Sequence, residues 1–205
     1  MEGIRSEGFV EVGVVEYPGG DPSAASVLAE MAHVANRVAQ QQRRPFKRVL
    51  VTRWIVPASR SGVHRVAGAD MLDAAIPAVI AVPGQVSSTA SLRTDEILLD
   101  WLRAHYDGGS LLAAAADGVS VLARAGLLAG RTVSGPDLSR HPGLVAQAVS
   151  WVPSERALVD DGDLLTVAGV QAWRFLGLRL LHRLFGQGVA SAVATQLAIT
   201  VPEPI

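Results

Sequence analysis

Asp117 and Gly118 form a sharp break between an apolar run at residues 111–116 and a helical-period segment at residues 119–128. A strand, a tight glycine turn and a helix, in that order, present one side chain at the carboxyl edge of a sheet. Asp117 places a carboxylate there, and its chemistry is that of a general base or of an anchor for a ligand group. An ordinary N-cap stabilised by the helix dipole is the other reading of the same residue, and the sequence leaves both open. Asp137 and His141 share a later loop and read as solvated loop residues before they read as site residues. His33, His64, His105 and His182 stand singly, without the spacing of metal ligands. Ser120 and Ser134 lack the His and Asp neighbours of a nucleophilic triad. No GxxxxGK[ST] run occurs, so neither a nucleotide nor a nicotinamide cofactor is expected, and no other cofactor is indicated. The chain has no cysteine, which removes disulfides, thiolate metal sites, iron–sulfur clusters and any Cys nucleophile.

The elements that must hold such a turn follow from the hydrophobic period. Runs rich in Val and Ile alternate with helical-period segments, the pattern of βαβ units around a mostly parallel sheet, so the fold class is α/β. Residues 9–17 predict a first strand closed by Pro18-Gly19-Gly20, and residues 23–41 a crossover helix with Val27, Met31, Val34, Ala35 and Val38 on one face. Further strands are predicted at 49–56, 63–66 and 78–82, the last ending in Pro83-Gly84-Gln85. Residues 95–106 read as an amphipathic helix stopped by Asp107-Gly108-Gly109, and the helix over 119–128 as terminated by Ala129-Gly130. Short strands and loops are expected over 131–166, then two closing helices at 169–185 and 189–199.

With 205 residues, 49% of them apolar and only 18% charged, the chain can bury a sizeable core, and a disordered or fibrous character is excluded. Eighteen basic against nineteen acidic residues give a net charge of −1, so there is no basic excess to condense on nucleic acid. The one basic cluster, residues 40–48, reads as a solvated helix end and loop. Apolar stretches fall short of the roughly 20 residues of a membrane span, and no secretory signal is visible at the start. A cytoplasmic protein of one domain over residues 1–205 is the resulting expectation.

The segment GVSVLARAGLLAGR (Gly118 to Arg131) resembles the elbow helix of the ThiJ/PfpI superfamily, the class I glutamine amidotransferase-like proteins. YPGGDPSAASVLAEMAHVAN (from Tyr17) is similar to that family's first turn and helix, IAVPG (from Ile80) to its PGG turn, and DGDLLTVAGVQAW (from Asp161) to its late strand and helix start. The likeness runs through nearly the whole chain and is nearest to isonitrile hydratase-like proteins and the amino-terminal domains of AraC-type regulators. It implies a flavodoxin-like three-layer sandwich, usually a homodimer. It also implies an elbow Cys followed by Thr-Gly, an acid after the first strand and often a downstream His. These positions carry Ala116, Asp117, Ala24 and Pro136 here, with Trp173 where Gly is usual and Phe175 where an Asp is usual.

A methyl group cannot attack a carbonyl or an isonitrile, so Cys-dependent hydrolase, deglycase, amidase or isonitrile hydratase activity is expected to be absent. What the resemblance leaves is the scaffold's set of oxygen-anion donors, the backbone N–H groups of Gly118 and near Gly84 and Gln85. The implied pocket is therefore bordered by Ala24, Gly84, Gln85, Ala116, Gly118, Pro136, Asp137 and Trp173. Trp173, Arg174 and Phe175 either pack the core or reshape that pocket. Three functions fit. The first is a binding module that holds a small molecule as a sensor or accessory protein. The second is a cofactor-independent lyase, isomerase, hydratase or cyclase of secondary metabolism, using Asp117. The third is a structural partner whose cavity has collapsed. No helix-turn-helix segment is evident, so DNA reading by this chain alone is not expected. Alanine at the elbow also has no catalytic reason to keep a strained backbone.

Overall fold

The computed structural model describes residues 8–42, 45–56, 62–66, 76–84, 96–135, 147, 149–152, 158–169 and 171–200. Gln85, Pro136, Asp137 and His141 lie outside the described residues.

The first strand, β1 (Phe9–Glu16), sits near the middle of a 7-stranded sheet because its apolar residues serve both faces. Val12 and Val14 join one core cluster and Val15 the other, the period-2 alternation of a strand covered on two sides. β2 (Arg48–Ile55) and β4 (Val79–Val82) flank it in parallel, followed outward from β4 by β5 (Leu111–Ala115) and β9 (Leu164–Val167), also parallel. β3 (His64–Arg65) and β8 (Leu158–Asp161) close the two edges antiparallel, giving the order β3-β2-β1-β4-β5-β9-β8. β6 (Thr132–Ser134) and β7 (Ser150–Val152) form a separate parallel pair. The mostly parallel central sheet of the sequence reading is thus present.

Helices α1 (Ser23–Gln41) and α4 (Ala172–Phe185) cover the face carrying Val12, Val14, Ala113 and Ala115. α5 (Gln187–Gln196) packs outside them through Val189 and Val193 against Met31, Ala35 and Leu181. α4 approaches α1 closely at Gly177, where a Cβ would come within 2.6 Å of the Met31 Sδ. The opposite face is covered by α2 (Glu96–Asp107) and α3 (Gly118–Arg124), whose Leu98, Leu102, Val119 and Leu122 meet Val15, Ile80 and Leu112.

α3 is shorter than the 119–128 expected. Gly126, at φ +75°, ends it, with its N–H on the Ala123 carbonyl and the Leu127 N–H on the Leu122 carbonyl, a Schellman closure that leaves Leu128 buried. The earlier of two glycines stops the helix because it reaches the left-handed conformation first.

On the far side of the sheet, Arg131 ties β6 to the β8–β9 turn through Asp163 and the Asp161 carbonyl oxygen at 3.1 Å, and the Tyr106 hydroxyl donates to Asp163 at 2.9 Å. Burial pushes the Asp163 carboxyl up, but the hydrogen bonds from Arg131 and Tyr106 outweigh it and hold it below its ordinary value. A depressed carboxyl contributes stability above its unfolded pKa, about 3.9, and that contribution is lost as pH falls through the folded value. Arg131→Gln is therefore expected to destabilise the fold more at about pH 7 than at about pH 3, as read from urea denaturation at both. An equal loss at the two pH values would mean the tie is not electrostatic.

Candidate functional site

The turns that follow β1, β4 and β5 meet at the carboxyl edge of the sheet, where the strand order reverses between β1 and β4. Two hydrogen bonds stitch the first two together: the Tyr17 hydroxyl donates to the Pro83 carbonyl, and the Asp21 N–H donates to the Gly84 carbonyl at 2.8 Å. Tyr17 is buried, and burial first, then the negative charges of Asp117 and Asp21, drive its hydroxyl far above the ordinary phenol range. It stays protonated and remains a donor. Sequence reasoning passed over Tyr17. Its signal was a large aromatic with a polar tip at the end of a strand, directly before Pro-Gly-Gly.

At the third turn Ala116 has φ +48°, in the left-handed region, so the elbow keeps its bend although no nucleophile stands on it. For a residue with a Cβ this conformation costs about 1–2 kcal/mol. The surroundings enforce it: the Ala116 N–H bonds the Val167 carbonyl of β9 at 2.9 Å, and the next residues turn at once into α3, with the Ser120 N–H on the Asp117 carbonyl at 3.0 Å. Glycines allow the turns to close. A Cβ at Gly118 would overlap the Val82 carbonyl oxygen and sit 2.9 Å from the Pro83 carbonyl oxygen. One at Gly84 would lie 3.0 Å from the Asp117 nitrogen and 3.1 Å from the Ala115 carbonyl oxygen.

Asp117 occupies the N-cap position of α3, yet its side chain makes no capping bond. This corrects its reading as an ordinary N-cap. A capping side chain goes with an extended backbone, whereas Asp117 is already helical at φ −66° and ψ −7°. The half-buried carboxylate instead shares the site with Tyr17, on which its charge acts.

Ala24, which the resemblance matched to the family's acid, is fully buried in the core cluster that also holds Trp173, Ala115 and Val167. Trp173 itself is 6% exposed. Its indole packs into the core while also bordering a cavity of about 310 Å³ lined by Asp21, Ser23, Val27, Gln171, Trp173 and Arg174. Core packing, one of the two readings posed by the sequence, is present, and among the described residues the cavity beside Trp173 is lined by none of Gly84, Ala116, Asp117 and Gly118. Phe175 is partly buried against α1 and α5. A larger groove of about 660 Å³ runs on the outer side of the Tyr17 to Asp21 turn, between Ala25 and Ala29 of α1 and Val51, Arg53 and Ile55 of β2.

The single histidines do not converge. His33 and His64 are exposed, His105 stacks on Trp101 with centroids 4.0 Å apart, and His182 Nδ1 lies 3.2 Å from Arg179 Nη1. Among the described residues no group of three or more His, Asp or Glu side chains is placed to hold a metal ion, and no helix is long and apolar enough to cross a membrane.

A doubly wound sandwich whose elbow and flanking glycine turns meet at the switch point defines the class of protein. Residues 58–183 match the DJ-1/PfpI family, and the chain belongs to that family. Protein dj-1beta of Drosophila melanogaster is 28% identical over 124 residues, which cover 59% of this chain and 63% of that protein, so the match spans less than two thirds of the relative. Among solved structures, Drosophila melanogaster DJ-1beta superposes with a TM-score of 0.67 at 21% identity, over 94% of this chain and 99% of that one. An AraC family transcriptional regulator from Pseudomonas putida superposes with a TM-score of 0.66 at 20% identity, over 92% and 99%. Schizosaccharomyces pombe DJ-1 gives 0.66 at 14% identity, over 93% and 100%. These likenesses establish the fold.

Proposed function

We propose that this chain is a DJ-1/PfpI-family pseudoenzyme that binds a small molecule at the former active-site edge, as a sensor or accessory protein. The observation that carries this reading is the elbow at Ala116. Its bend is retained at φ +48°, and the glycine turns at Gly84 and Gly118 still close around it, although no thiol stands there. A partly exposed Asp117 at the turn after β5 and, at the starts of α1 and α4, a cavity beside Trp173 supply polar and apolar groups at this end of the sheet. The remaining proposed pocket residues, Gln85, Pro136 and Asp137, belong to the same reading. So do a homodimer, a cytoplasmic location and a single domain. The fold's occurrence in a protein described as an AraC family regulator makes sensing a natural use of such a site.

A second reading, a cofactor-independent lyase, isomerase, hydratase or cyclase, is favoured by one observation: Asp117 brings an ionisable group to the turn where Tyr17 holds a proton. The test of the first reading is a thermal-shift and calorimetric panel of small carbonyl, amide and aromatic metabolites. Saturable binding of at least one, weakened by Asp117→Asn at an unchanged melting temperature, supports it, and absence of binding by this panel and by the amino carboxylates considered below overturns it. Turnover of a bound compound that Asp117→Asn abolishes would transfer the assignment to the enzyme.

A further inference from the structure

We propose that the cavity between the starts of α1 and α4 takes a small zwitterionic amino carboxylate, its carboxylate on Arg174 and its ammonium on Asp21. This rests on the reading that the chain binds a small molecule at this edge, and it names the ligand's chemical class.

Arg53, Arg65, Arg103, Arg131, Arg179 and Arg183 each pair with a carboxylate. Arg174, exposed and like Arg48 without a hydrogen bond or ion pair among the described residues, is set apart by its place: it lines one cavity with Asp21 and does not meet it. Opposite charges that border one cavity without meeting are both satisfied by a ligand that carries both signs. A guanidinium presents a planar fork that matches a carboxylate with two parallel hydrogen bonds. Asp21 is held in place, because one of its oxygens accepts the Ser23 N–H at 2.9 Å, which leaves the second oxygen to receive an ammonium. A purely anionic ligand such as phosphate would face Asp21, and a simple amine would face Arg174.

Size and polarity narrow the class further. A volume of about 310 Å³ stands at the small end of ligand sites, which run from roughly 300 to 1,000 Å³, and suits a molecule of amino-acid size. The Trp173 indole and Val27 supply an apolar wall for a short aliphatic group, while Ser23 and Gln171 supply neutral polar atoms. Gln171 precedes α4 and its side chain makes no capping bond.

The experiment is isothermal titration of the full chain with glycine, L-alanine, L-valine, L-leucine, β-alanine and γ-aminobutyrate, with isovalerate and isobutylamine as single-charge controls. At least one amino carboxylate is expected to bind saturably. Its affinity should fall about tenfold or more in both Arg174→Gln and Asp21→Asn, the loss that goes with a charge-assisted hydrogen bond. The single-charge analogues should bind at least about tenfold more weakly than their zwitterionic counterpart. Arg174 is exposed, so Arg174→Gln is expected to melt at the wild-type temperature, and it carries the test if Asp21→Asn loosens the start of α1. Absence of binding across the six zwitterions, or equal affinity in wild type and Arg174→Gln, overturns the proposal. If compounds of the carbonyl, amide and aromatic panel bind while the zwitterions do not, the ligand class fails and the binding function stands. If neither set binds, both fail.

Discussion

Truncation of Trp173 to alanine is expected to lower the unfolding free energy by about 3–5 kcal/mol, the range for removing a large buried aromatic. The indole is 6% exposed and shares a core cluster with Ala24, Ala115, Val167 and Leu176. Three of these neighbours are small or stiff and cannot swing in to refill the space, so most of the cavity term persists. The measurement is a urea titration in which the midpoint falls while the slope stays constant. A loss below about 1 kcal/mol would show that the indole merely lies over the cavity instead of supporting it. The two roles assigned to Trp173 also make a linked expectation: the variant enlarges the cavity beside Asp21 and Arg174, so ligand affinity falls even where the folded state persists.

Gly118→Ala is the second large effect. The added methyl would collide with the Val82 carbonyl oxygen and approach the Pro83 carbonyl oxygen and carbon, all of them backbone atoms of β4 and its following turn. Overpacking costs about 1–3 kcal/mol, and here the three nearest atoms belong to the backbone and cannot yield as a side chain does, so a loss of about 3 kcal/mol is expected. Relief requires α3 to move away from β4, which would also release the Ala116 bend. The same denaturation measurement checks it, with Gly130→Ala as the comparison: Gly130 has open space around its missing Cβ, and only its φ of +70° opposes substitution, at about 1 kcal/mol. Equal losses at the two glycines would remove the close approach as the cause.

These two positions also show how the sequence and the structure divide the information. The α1 helix was legible over residues 23–41 because its apolar side chains recur with helical period over five turns and a Pro-Gly-Gly turn precedes it. The elbow was legible as a strand, a glycine turn and a helix in order, and the family resemblance followed from its residues. Trp173 was legible as bulky where the family is small, but whether it fills the core or borders a cavity depends on Ala24, 149 positions away in the chain and brought to it only by the packing of α1 on α4. The N-cap reading of Asp117 failed for a local reason: residue type favours a cap, but the tight closure of α3 onto β4 puts its backbone in the helical region. Tyr17 and Asp21 lie in the segment that resembles the family's first turn, but residue type alone gave neither of them a role. Their roles arise from hydrogen bonds to Pro83 and Gly84 across the switch point. Arg174 was visible as part of a bulky triplet, while its place beside Asp21 in one cavity, with no partner among the described residues, is a property of the folded molecule.

The retained elbow ties these observations together, since a bend that serves no nucleophile is held by β9, by two glycine approaches and by a stitched pair of turns. A single thiol reports on it directly. The chain has no cysteine, so Ala116→Cys introduces one, at the residue whose φ is +48° and whose side-chain position is partly exposed. Native Ala116→Cys treated with a small maleimide and followed by intact mass is expected to label stoichiometrically without denaturant and to be slowed by a saturating ligand. A thiol that reacts only after unfolding would contradict an open site at the former active-site edge.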